Sequence, residues 1–245
     1  GRRQKRRPEE DMKSYRARGG PVSERPYYKL TEIEQICTDA LRKVGLYPEK
    51  PEPIRIERFV EKHFKIRPEY HELPDGLLGY TKFGPHGVEQ IVVSRSLAEQ
   101  GDRVAERQVS STLAHEAGHG LLQGHLFVLE RDRLTSLFGQ GIDPQVPKIL
   151  CRTPSEGKSR KYSGEWWEFQ ANQAIGGLLL PRSLALQAVA DLTISSGTFG
   201  QKILPALHRE KAARQLAEIF DVNPAAARIR LQDIFPETES CQLTL

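Results

Sequence analysis

The sequence predicts an α+β fold, on three observations. Apolar residues recur at helical spacing up to about residue 64 and again from about residue 103, the stretch between them alternates like half-buried strands, and Gly/Pro turn signals separate the two regimes. With 245 residues, 38% hydrophobic and 28% charged, the chain is long enough for one large packed domain and a smaller appendage.

Residues 1–25 carry nine Lys/Arg against four Asp/Glu, so the net charge of +4 belongs to this segment and the remainder sums to −1. With almost nothing apolar to bury, the segment reads as a disordered basic arm. A basic globular face of the kind that grips nucleic acid is not indicated. Next, Thr31 with Glu34 resembles a capping box, and Ile33, Ile36, Ala40, Leu41 and Val44 form a helical stripe that Gly45 ends. A second short helix is expected over 53–64, with Ile56, Phe59 and Val60 inward. Three strands are expected over 65–73, 77–83 and 89–94, joined by Pro74-Asp75-Gly76 and Gly84-Pro85-His86-Gly87 turns into a small antiparallel sheet. Helical spacing resumes over 103–123 on Val104, Val109, Leu113, Ala117 and Leu121 or Leu122. Residues 131–164 are irregular in pattern, and a helix from about Gly164 is stopped by Pro181.

The chemistry concentrates in His115-Glu116-Ala117-Gly118-His119, an HExxH pattern inside an expected helix. Residues four apart share a helical face, so both imidazoles reach one metal ion, with Glu116 beside the metal's water as general base. A catalytic zinc site needs a third protein ligand. Glu168 supplies it from the next helix, and Glu165, three residues earlier, is the competing carboxylate. Asn172, one turn beyond Glu168, is placed to hold a ligating histidine by its other ring nitrogen. Gly118 and Gly120 on one helix, with Gly176 and Gly177 on the other, suggest that the two approach closely. The strand over 89–94, with Ile91, Val92 and Val93, is the expected edge for a substrate added as an extended strand. His125, Arg152 and Tyr162 are candidates to stabilise an oxyanion, and Cys151 for a thiol switch at the metal.

Thr112, Ala114, His115, Glu116 and His119, together with Glu168, Ala171 and Asn172 and the run Leu178 to Pro181, resemble the ImmA/IrrE family of bacterial zinc metallopeptidases. That family carries TxAHExxH, ExxAN and LLMP patterns; Leu180 stands here at the usual Met, and the likeness spans roughly Thr31 to Phe235. It implies a zincin-like domain over 26–195 with a gluzincin-like site: Zn²⁺ on His115, His119 and Glu168, with Glu116 as the base. It also implies a protein substrate, because relatives cut helix-turn-helix repressors encoded nearby. The sequence departs from the family at Gln123, where a further His is common, and at Gln170, where a Glu is common. The 49 residues from His119 to Glu168 also make a longer connection than many relatives have.

Residues 196–245 read as a helical, helix-turn-helix-like module: Leu216 and Ala217 inward, Val222 in the turn, Asn223-Pro224 starting the second helix. Arg228 and Arg230 are placed to face a groove, but Ala225, Ala226 and Ala227 occupy the positions that would read bases, which favours protein docking or a structural role over direct nucleic-acid binding. The contrasting reading is a DNA-binding or antitoxin-like regulator with a catalytically idle zinc site. No apolar run nears the roughly 18 residues of a membrane span. The absence of a secretory leader pattern and the odd, widely spaced Cys37, Cys151 and Cys241 lead to the expectation of a cytoplasmic protein with no membrane partner.

Overall fold

The computed structural model describes residues 14–16, 24–138, 148–152, 166–196 and 200–236. They form an α+β arrangement in which a long helix lies between a small sheet and a group of helices. Among them, no helix is long and apolar enough to cross a membrane.

The first described elements are two short antiparallel strands, β1 (Ser14–Arg16) and β2 (Glu24–Pro26), with Tyr15 in register with Arg25. Most of the expected disordered arm over 1–25 lies outside the described residues, which within it are 14–16 and 24–25. Helix α1 (Leu30–Lys43) has its N-cap at Lys29, two residues before the expected cap Thr31. The cap is formed by Glu32, which accepts from the Lys29 backbone N–H at 2.6 Å, while Glu34 turns into the core. Helix α2 (Ile56–Phe64) stops at Lys65, which adopts a left-handed conformation.

Strands β3 (Glu69–His71), β4 (Leu77–Gly84), β5 (Gly87–Ser94) and β6 (Lys148–Arg152) form one sheet in the order β3-β5-β4-β6. It is mixed rather than antiparallel, because β3 runs parallel to β5 while β4 is antiparallel to both neighbours. The strand expected at the edge is thus internal. Val92 and Val93 of β5 lie between Glu69–Tyr70 on one side and Tyr80–Gly79 on the other, and Ile91, Val92 and Val93 are fully buried. The far edge of β4 is paired with β6, from a stretch whose sequence shows no regular pattern.

After the single turn α3 (Arg95–Ala98), α4 (Arg103–Phe138) runs for 36 residues, about 54 Å at helical rise. It continues well past the expected end, and Val104, expected inward, is exposed. Residues 112–119 of α4 are all buried, with β4 and β5 on one side and α5 (Trp166–Leu179) on the other. Gly118 permits that approach: a Cβ there would lie 2.8 Å from Ala174 Cβ and 3.2 Å from the Ala171 carbonyl. The other glycines serve different neighbours, Gly120 meeting Phe64 and Val88, Gly176 meeting Arg230, and Gly177 meeting Cys37.

Helix α6 (Arg182–Ala188), the hairpin β7 (Ile194–Ser196) and β8 (Gln201–Ile203), and helices α7 (Arg209–Ile219) and α8 (Pro224–Ile234) complete the chain. The expected boundary at 195/196 falls inside the β7–β8 hairpin. Leu216, Ala217, Val222 and Leu231 belong to the same buried cluster as Ile33, Leu113 and Leu178, so the C-terminal helices pack into that core. Arg107 of α4 reinforces the join, donating to Asp221 at 2.9 Å and to the Ala217 carbonyl at 3.2 Å. The placement of Arg230 toward a groove is also corrected. Its side chain is 1% exposed, pairs with Glu34 of α1 and donates to the Leu180 carbonyl at 2.9 Å. Exposed Arg228 pairs with Glu210.

Gly118→Ala should destabilise the fold by about 1–3 kcal/mol in urea denaturation through overpacking. Gly124→Ala, whose Cβ would meet only Phe83 at 3.7 Å, should leave stability unchanged or raise it by up to about 1 kcal/mol. Arg230→Ala should cost about 3–5 kcal/mol because it leaves the buried Glu34 carboxylate with only the longer Arg182 contact at 3.7 Å, whereas Arg228→Ala should barely move the midpoint.

Candidate metal centre

The face of α4 at His115 and His119 meets the first turn of α5 at Glu168. His115 Nε2 and His119 Nε2 lie 3.0 Å apart, and Glu168 offers one oxygen 3.1 Å from His115 Nε2 and the other 3.3 Å from His119 Nε2. A tetrahedral ion with bonds of about 2.0–2.1 Å holds its ligand atoms about 3.3 Å apart. Two imidazole nitrogens and a carboxylate at this spacing therefore fit one divalent metal ion. Both histidines are buried and Glu168 is mostly so, which keeps bulk water from competing for the site.

Glu116 points from the same helix turn toward β4. The Thr81 hydroxyl donates to its Oε2 at 2.6 Å and lies 3.1 Å from its backbone carbonyl. Among the described residues its Oε1 is buried with no hydrogen-bond partner, so one carboxylate oxygen is anchored and the other is not. Gly79 makes room for it: a Cβ there would sit 2.9 Å from Thr112 Cγ2 and 3.3 Å from Glu116 Oε1. Burial pushes the Glu116 carboxyl above the usual range, against the pull of His115, His119 and the Thr81 hydrogen bond. For Glu168, burial also pushes upward, but the adjoining His115 and His119 imidazoles outweigh it and hold the group down at about 2.

Other expected site residues are placed differently. Asn172 is exposed and bonds to neither histidine; the contact on His119 comes from Gln123, whose Oε1 accepts from His119 Nδ1–H at 2.9 Å. The reason is rotational. Gln123 lies one turn beyond His119 on the same helix face, and the side of α5 carrying Ala171 and Ala174 is the one pressed on α4. His125 is exposed on α4, outside the ligand cluster. Arg152 and Cys151 lie on β6 in register with Leu77 and Gly79. Tyr162 and Glu165 lie outside the described residues. Thr81, Gly79 and the role of Gln123 escape a reading of the sequence; Gln123 carries a signal only as a polar residue four beyond the second histidine.

Compared with known family models, with curated proteins and with solved structures, the chain matches none.

One equivalent of a divalent transition metal should raise the melting temperature. At a free concentration of about 100 times the dissociation constant the stabilisation is about 2.7 kcal/mol. Calorimetry of His115→Ala, His119→Ala and Glu168→Ala should show no such increment.

Proposed function

We propose that the chain is a zinc-dependent endopeptidase of the ImmA/IrrE type, zincin-like in fold, acting on a helix-turn-helix repressor in the cytoplasm. The observation that carries this reading is the buried convergence of His115, His119 and Glu168 beside a carboxylate whose Oε1 has no partner among the described residues. The substrate class rests on the resemblance of the TxAHExxH and ExxAN patterns.

His115, His119 and Glu168 are the residues that would hold zinc. Bound there, it supplies Lewis acidity, polarising a peptide carbonyl and lowering the pKa of water toward about 7. Glu116 takes the proton from the attacking water on Oε1 as the new carbon–oxygen bond forms. It then delivers that proton to the leaving amine as the carbon–nitrogen bond breaks. Thr81 keeps the carboxylate in one rotamer by holding Oε2. The upward push on the Glu116 pKa suits this shuttle, since a buried carboxylate accepts a proton more readily than an exposed one.

The test is cleavage of a repressor encoded beside the gene, followed by gel after mixing. Glu116→Gln should lower the rate by about 10²–10⁴-fold with zinc content unchanged. Equal cleavage by this variant would remove Glu116 from the mechanism and the peptidase reading with it.

A further inference from the structure

His119 is the first member of a buried hydrogen-bond chain that leaves the metal centre and ends on the segment ahead of α1. Gln123 Oε1 lies 2.9 Å from His119 Nδ1, Gln123 Nε2 lies 3.1 Å from Gln170 Oε1, and Gln170 Nε2 lies 2.9 Å from the backbone carbonyl of Pro26 in β2. His119 and Gln123 are fully buried and Gln170 is 5% exposed, so water does not offer these groups easy alternatives.

The last link fixes the direction of all the others. A backbone carbonyl only accepts, so the Gln170 amide must present its nitrogen to Pro26 and its oxygen to Gln123. Gln123 must then donate to Gln170, which leaves its own oxygen facing His119. That oxygen requires the His119 proton on Nδ1 and leaves the Nε2 lone pair aimed at His115 and Glu168. Reversing either amide would set donor against donor or acceptor against acceptor. We propose that Gln170 and the Pro26 carbonyl are positioning groups of the metal centre, selecting the His119 tautomer that can ligate, so that the β2 segment is part of what sets metal affinity. This rests on the metal-centre reading of His115, His119 and Glu168.

The experiment uses the full chain and compares Gln170→Met with Gln170→Glu. Methionine fills similar space and makes neither bond. Glutamate still accepts from Gln123, and when protonated it also donates to Pro26, so the direction of the Gln123 amide is kept. Two readouts are taken: zinc affinity by competition with a chromophoric chelator, and the ring-proton position of His119 in metal-free protein by long-range proton–nitrogen correlation. Gln170→Met should weaken zinc binding by about 10–100-fold and move part of the His119 population to the Nε2–H tautomer. Gln170→Glu should retain the Nδ1–H tautomer and bind within a few-fold of wild type. Circular dichroism checks that both variants are folded. Wild-type affinity and tautomer in Gln170→Met, or equal losses in both variants, would overturn the proposal. A wild-type chain that binds no zinc would instead sink the metal-centre reading, while the tautomer comparison would still report on the hydrogen-bond chain.

Discussion

The centre depends on how closely α4 and α5 approach. At Gly118 the two backbones are nearer than a methyl group allows, and the Ala171 and Ala174 side of α5 is what α4 touches. Glu168 stands one turn before Ala171 on that side, so the approach that buries the alanines also brings its carboxylate to the two imidazoles. A wider separation would leave a two-histidine pair, short of the three protein ligands of a catalytic zinc. Small side chains here therefore set the spacing of the His115, His119 and Glu168 cluster as well as the packing of the core.

The same burial creates the polar problem that the surrounding residues solve. Residues 112–119 are enclosed by sheet and helices, yet they include two histidines and a glutamate. Each buried polar atom needs a partner or a reason to lack one. His119 finds Gln123, Glu116 Oε2 finds Thr81, and the facing ring nitrogens share Glu168. Glu116 Oε1 alone of these atoms has no partner among the described residues. The remote Arg230–Glu34 pair follows the same logic: it ties α8 to α1 and to the end of α5, and it draws the C-terminal helices into the common core.

What the sequence disclosed, and what it concealed, follow from range. The HExxH pair is legible because a four-residue spacing fixes a shared helix face, and Asn223-Pro224 is legible because a helix start is a local event. Glu168 could be proposed as a partner only because two helix faces each carried suitable chemistry. Strand order was not legible. Alternation identifies β5 as a strand but does not say that β3 returns parallel beside it, nor that β6 pairs with β4 from beyond the long helix. The direction of Arg230 was hidden for a related reason, since its partner Glu34 lies 196 residues away and an arginine on a helix ordinarily reads as exposed. Gln123 looked like a departure from a pattern and is instead the group that holds His119.

The most direct measurement of the central claim is X-ray absorption at the zinc edge on protein loaded with one equivalent of zinc. Zinc held by His115, His119 and Glu168 should give a four-coordinate first shell of nitrogen and oxygen at about 2.0–2.1 Å, with the outer-shell scattering of two imidazoles, lost together in a His115→Ala, His119→Ala double variant. A sulfur shell at about 2.3 Å, or a six-coordinate shell without imidazole scattering, would contradict it.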